Sequence, residues 1–163
     1  MKRLTIKLSL AAMLFTTLPV HADDLFTGDV KSACEAVLCL STGQRPKECA
    51  SRIKRYFSIK MRKISDTLKA RKNFLNLCPA ATQDEKMANL IDAITNGAGR
   101  CDYAALNSSL MVWYGKVGEF NYYIKNTLPS YCAAYTNNAY TNIKQAVYVG
   151  TPKNGGHWIE ATN

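Results

Sequence analysis

CASRIKRYFSIKMRKISDTLKARKNFLNLC, residues 49–78, is the stretch that decides the fold class of this chain. Ile53, Phe57, Met61, Ile64, Leu68 and Leu75 recur at three-, four- or seven-residue steps, the spacing that gathers side chains on one side of an α-helix. The stretch therefore predicts an amphipathic helix that opens at Cys49 and ends at Cys78-Pro79, with the apolar stripe facing a core. Cysteines near both ends point to a helix held inside a cross-linked domain. Nine basic residues (Arg52, Lys54, Arg55, Lys60, Arg62, Lys63, Lys69, Arg71 and Lys72) share the window with one acid, Asp66. The basic side has two readings: a solvated outer surface, or a docking face for an anionic membrane or an acidic partner.

Upstream, residues 23–33 read as a loose lead-in. The alanine- and leucine-rich Ser32–Leu40 reads as a short helix that stops at Ser41-Thr42-Gly43, before a turn at Arg45-Pro46. Downstream, Thr82 and Glu85 fit a capping box. It would open a helix carrying Met87, Leu90, Ile91 and Ile94, ended by Asn96-Gly97. Asp102 can cap a further helix through Tyr103, Leu106 and Leu110. The chain then turns aromatic from Trp113 to Tyr148. Gly115 and Gly118 are expected to interrupt helix, with another helical segment running to Leu128 before Pro129. A last helix is expected around Ala139–Val147, with Tyr140, Ile143 and Val147 on one side. Strand-like runs at Val147–Val149 and His157–Ile159 flank a glycine-proline turn, the pattern of a short C-terminal β-hairpin. The fold class is mainly α: a small disulfide-stapled helical domain with that hairpin at its end.

The N-terminus has the three parts of an export signal. Lys2, Arg3 and Lys7 are positive, Leu8–Val20 is apolar, and Val20-His21-Ala22 offers small residues to signal peptidase. The apolar run is broken by Thr16, Thr17 and Pro19 and is shorter than the roughly 20 residues a membrane span needs. Residues 1–22 are therefore expected to be cleaved, leaving residues 23–163 as one domain in the periplasm. Cleavage removes three of the charges that give the full chain its formal +9. The remainder is still cationic and inclined toward anionic partners.

Cys34, Cys39, Cys49, Cys78, Cys101 and Cys132 all follow the leader. An even count in a small exported protein reads as three disulfides. Zinc would call for close C-x-x-C pairs or histidine partners, and after the leader only His157 remains. No metal or cofactor is expected. Six cysteines allow 15 pairings. Cys34 and Cys39, five apart on one helix, point about 140° from each other and are unsuited to a mutual bridge. The preferred set is Cys39–Cys49 across a turn, Cys78–Cys101 around a helix and Cys34–Cys132 joining the ends, with the other pairings open.

Little of the sequence suggests catalysis. A Cys–His or Ser–His–Asp site would depend on His157 alone, and Gly97-Ala98-Gly99 lacks the lysine and context of a phosphate loop. Cleavage of cell-wall glycan would need a carboxyl with a raised pKa, with Glu35 and Glu119 as its candidates. Nucleic acid is disfavoured, because Phe57 belongs to the core stripe and the chain is exported. Asn107-Ser108-Ser109 matches a glycosylation sequon by chance.

Cys34-Glu35-Ala36-Val37-Leu38-Cys39-Leu40-Ser41-Thr42-Gly43, Arg45-Pro46 with Glu48-Cys49, and Arg55-Tyr56-Phe57-Ser58-Ile59 together resemble the TrbM/KikA family of conjugal transfer proteins. Cys78-Pro79, Arg100-Cys101-Asp102, Pro129–Thr136, Tyr148–Pro152 and Gly155-Gly156 with Trp158 extend the resemblance over nearly all of residues 23–163. It implies a plasmid-encoded periplasmic protein of mating-pair formation in a type IV secretion system, in a family also linked to host toxicity. No catalytic residues carry over. The expected function is a non-enzymatic accessory role, binding a secretion-channel or pilus component or an anionic membrane or cell-wall surface. The alternatives are a cell-wall-modifying enzyme and a membrane-active toxic protein.

Overall fold

The computed structural model describes residues 28–162, so the expected leader at residues 1–22 lies outside the described residues. The class is mainly α with two small antiparallel hairpins. In chain order the elements are α1 (Gly28–Ser41), α2 (Cys49–Ser58), α3 (Ile64–Leu75), α4 (Glu85–Gly97), α5 (Tyr103–Ser109), β1 (Met111–Lys116), β2 (Glu119–Ile124), α6 (Ser130–Thr136), β3 (Val147–Val149) and β4 (His157–Ile159). Short 3-10 turns lie at Pro79–Thr82 and Pro152–Asn154.

One buried cluster runs through these elements. Ala33, Ala36, Val37 and Leu40 of α1 meet Tyr56 of α2, Phe74 and Leu75 of α3, and Leu90, Ile91 and Ile94 of α4. Asp84, rather than Thr82, caps α4: its carboxylate accepts from the Met87 amide at 2.9 Å. Asp102 caps α5 in the same way through the Ala105 amide, also at 2.9 Å. Each such cap contributes on the order of 1 kcal/mol by satisfying an amide that the first helical turn leaves unpaired.

Three disulfides staple the helices. Cys39–Cys49 closes the turn between α1 and α2, with its Cα atoms 5.5 Å apart. The preferred pairs Cys78–Cys101 and Cys34–Cys132 are corrected to Cys34–Cys78 and Cys101–Cys132. The reason is the path of the chain. A break between α2 and α3 folds α3 back along α1, which brings Cys78 to 4.8 Å (Cα–Cα) from Cys34. Cys101, just after α4, then meets Cys132 on α6, which packs beside α4. Spacing alone gives no sign of that reversal.

The break also corrects the single helix expected from Cys49 to Leu75. Ile59 and Lys63 take extended backbone conformations. The buried positions are Cys49 and Tyr56 in α2, then Thr67, Arg71, Phe74 and Leu75 in α3. The periodic stripe was misleading because two of the inward positions hold Thr67 and Arg71, while the striped Met61 and Ile64 face solvent.

The aromatic region is a hairpin, not interrupted helix. β1 and β2 pair in register from Met111↔Ile124 to Lys116↔Glu119. Trp, Tyr and Phe suit a pleated surface, Gly118 (φ +94°) supplies the left-handed backbone of the tight turn at Val117-Gly118, and Gly115 (φ +121°), within β1, leaves room for Glu119 O, which a Cβ there would strike. No helix forms over Ala139–Val147. The backbone of Asn142 instead donates to Ser41 O at 2.8 Å and accepts from the Gly43 amide at 2.7 Å, an extended pairing that a helix would forbid. Helix α6 is instead placed at Ser130–Thr136, directly after Pro129. The C-terminal hairpin forms as β3–β4, with Tyr148 opposite Trp158. Asn107 of α5 fixes it: its amide donates to Trp158 O and accepts from Trp158 N, each at 2.8 Å, much as a neighbouring strand would.

Candidate interaction surface

The nine basic residues between Arg52 and Lys72 do not act as one face. Arg52 forms an ion pair with Glu35 and also donates to Ser32 Oγ at 3.1 Å. Arg55 pairs with Asp29 at 3.1 Å, and Lys72 pairs with Asp92. Arg71 is only 7% exposed. Its Nε donates to Ile59 O at 3.2 Å and its Nη2 lies 3.4 Å from Phe57 O. The same guanidinium stands 5.0 Å from the Tyr56 ring and 5.1 Å from the Phe57 ring. Those carbonyls close the C-terminal end of α2, where the helix dipole favours a cation. Four of the nine residues thus hold the fold together.

Lys54, Lys60, Arg62, Lys63 and Lys69 are exposed and form no ion pair among the described residues. Three of them lie in the α2–α3 connection, Ile59–Lys63, beside the exposed Met61 and Ile64. Thr67 ties this connection down from beneath: its hydroxyl accepts from the Met61 amide at 2.8 Å and donates to Lys63 O at 3.1 Å.

The hairpin β1–β2 is a second exposed surface, one that the helical reading of this region had hidden. Its alternation puts Met111, Trp113, Gly115, Phe120, Tyr122 and Ile124 on one face, with no charge among them. Met111 and Ile124 sit at the buried base, while Trp113 and Phe120 are each 63% exposed. Trp113 and Tyr122 pair across the strands with ring centres 5.4 Å apart. The signal in the sequence is confined to β2, where Glu119, Phe120, Asn121 and Tyr122 alternate polar and apolar, because β1 opens with an unbroken run from Met111 to Tyr114.

The candidate carboxylates are far from forming a catalytic pair. Glu35 is taken up by Arg52, and Glu119 stands exposed beside the hairpin turn, opposite Lys116. His157 is exposed, with Nδ1 3.0 Å from Gly155 O. Among the described residues no group of three His, Cys, Asp or Glu side chains is placed to hold a metal ion. A cavity of about 430 Å³ lies between Arg45, Asp102, Tyr103, Tyr135 and Lys144, with Glu160 from the C-terminal segment at its rim. Arg45 is committed to the end of α1, donating to Cys39 O and Thr42 O at 2.5 Å each. Burial pushes the Tyr135 phenol up to about 12.

The TrbM family profile matches residues 25–163. The chain belongs to the TrbM family of conjugal transfer proteins. The match spans all the described residues, from the α1 disulfides through the aromatic hairpin to β4. No curated protein and no solved structure matches the chain. TrbM membership links the protein to conjugation and its transfer machinery, and TrbM is not a known enzyme family. No helix among the described residues is long and apolar enough to cross a membrane.

Proposed function

We propose that this TrbM protein is an exported, periplasmic accessory of plasmid conjugation, non-enzymatic, that binds a protein component of the transfer channel or pilus through hairpin β1–β2. The observation that carries this reading is the uncharged, exposed face of Trp113, Phe120 and Tyr122, because a contiguous aromatic patch on a small protein marks an interaction site. Trp and Tyr add an N–H or O–H to a large apolar body, the mix enriched at protein interfaces. The sheet has two strands, so β1 is an edge strand as well, whereas the end of β2 is engaged by the Tyr148 hydroxyl, which donates to Ile124 O at 2.8 Å. Export is supported by the three disulfides, which suit an oxidising compartment, and by the leader-like residues 1–22. Residues 23–163 are then the working domain.

The test is a photo-crosslinking amino acid at Phe120 during active mating, with the same probe at exposed Lys86 as control. The reading expects an adduct with one plasmid-encoded channel or pilus protein from position 120 and none from position 86. Adducts identical at both positions, or none at 120, contradict it. Muropeptide release by the purified protein that disappears in Glu35→Gln or Glu119→Gln would favour a cell-wall enzyme instead.

A further inference from the structure

We infer that the α2–α3 connection is a membrane-docking loop, in which Lys60, Arg62 and Lys63 meet anionic lipid headgroups while Met61 and Ile64 enter the interfacial layer. This site is separate from the hairpin and does not depend on the function proposed for it.

Four observations support the inference. The first is charge. Residues 59–64 carry three cations and no acid, and none of the three has an ionic partner among the described residues. They also crowd the N-terminal end of α3, where the helix dipole disfavours positive charge, no side chain caps the helix, and Asp66 is the single acid of the first turn. An anionic surface would offset the repulsion among the three cations.

The second is the interleaved apolar pair. Met61 is 54% exposed and Ile64 61%. Neither has a polar group to satisfy in water or at a protein rim. Aliphatic side chains between cations on one exposed edge are the pattern of an interfacial anchor. Two such side chains are also too small an area for a stable protein contact, which buries about 800 Å² per partner.

The third is rigidity. The loop is held by Thr67 through Met61 N and Lys63 O, and by Arg71 through Ile59 O and Phe57 O. Both holding side chains are buried. The loop thus presents its tip already shaped, so docking costs little ordering entropy.

The fourth is what the other basic residues do. Arg52, Arg55, Arg71 and Lys72 are consumed internally, which leaves Lys60, Arg62 and Lys63 as three unpaired cations within four residues of the loop, while Lys54 and Lys69 stand singly on α2 and α3.

The experiment is flotation of the oxidised protein with vesicles of phosphatidylcholine alone or containing about one-third phosphatidylglycerol. The expected result is binding to the anionic vesicles only, fading as salt rises. Neutralising Lys60, Arg62 and Lys63 together to Gln should weaken that binding roughly a hundredfold, at about a fivefold loss per cation. Met61→Ser with Ile64→Ser should weaken it roughly tenfold with the salt dependence retained. The control neutralises Lys47, Lys86 and Lys125, which removes the same charge elsewhere and should cost only a few-fold. All these side chains are exposed, and unchanged thermal melts confirm that the variants fold. Equal binding to both vesicle types, no binding at low salt, or equal losses in the loop and control triples would each overturn the inference. An acidic protein as the true partner would show itself as absent vesicle binding.

Discussion

The ring of Tyr135 lies directly against the backbone of Gly97: a Cβ built on Gly97 would come within 2.4 Å of the ring carbons. The ring then reaches past α4 to donate its hydroxyl to Leu40 O at 2.5 Å, at the C-terminal end of α1. One side chain of α6 is thereby fixed to two other helices, beside the Cys101–Cys132 bridge.

Gly97→Ala is expected to displace Tyr135 and destabilise the protein by about 2–3 kcal/mol, since the obstruction is a packed ring rather than a flexible end. Tyr135→Phe, which keeps the ring and loses the hydroxyl, should cost about 1–2 kcal/mol. Denaturant melts of the two variants check the order, with Gly97→Ala the less stable.

The same phenol gives a pH dependence. Burial raises Tyr135 to about 12 against an ordinary 10.0, and burial pushes the Tyr56 phenol up as well. A raised acid stays protonated longer in the folded than in the unfolded chain. Its stabilising contribution is therefore complete below pH 10 and is lost as pH rises toward 12. Melting temperature should stay level from pH 8 to 9.5 and fall beyond pH 10, with a shallower fall in Tyr135→Phe.

The pairing of Cys34 with Cys78 closes a loop with a sequence separation of 44. Loop-closure entropy puts its worth at about 4 kcal/mol. The double variant Cys34→Ser, Cys78→Ser should lose roughly that much. Peptide mapping without reduction should recover Cys34–Cys78, Cys39–Cys49 and Cys101–Cys132 fragments.

Much of this framework was legible in the sequence, and the exceptions have physical causes. The helices α1, α4 and α5 announced themselves through Ala and Leu content, the Leu90–Ile94 stripe and the Asp102 cap. The cysteine count implied three bridges. The α2–α3 break was hidden because its decisive residue, Arg71, is a charged side chain in a buried position. Hydrophobic periodicity reads such a residue as surface. The disulfide partners followed that break and were hidden with it. The aromatic hairpin was missed because glycines between aromatics interrupt helix and turn strands equally well.

Arg71 supplies its own test. Arg71→Met retains a long apolar stem but leaves the carbonyls of Phe57 and Ile59 without their donor. The expected cost is about 2–3 kcal/mol from the lost charge-assisted hydrogen bonds and ring contacts. Arg71→Lys should recover only part of it, because a point charge cannot span two carbonyls and two rings. Amide exchange should rise first at Ile59–Lys63.

The most direct test of the central claim, that this TrbM protein serves conjugation by binding through its aromatic hairpin, is transfer frequency from a plasmid lacking the gene and complemented in trans. Trp113→Ser, Phe120→Ser and Tyr122→Ser combined should be exported and folded yet lower transfer at least tenfold relative to wild type, on the order of one lost interface hot spot. Glu35→Gln with Glu119→Gln should complement fully. Full transfer by the hairpin variant, or loss of transfer confined to the carboxylate variant, would contradict the account.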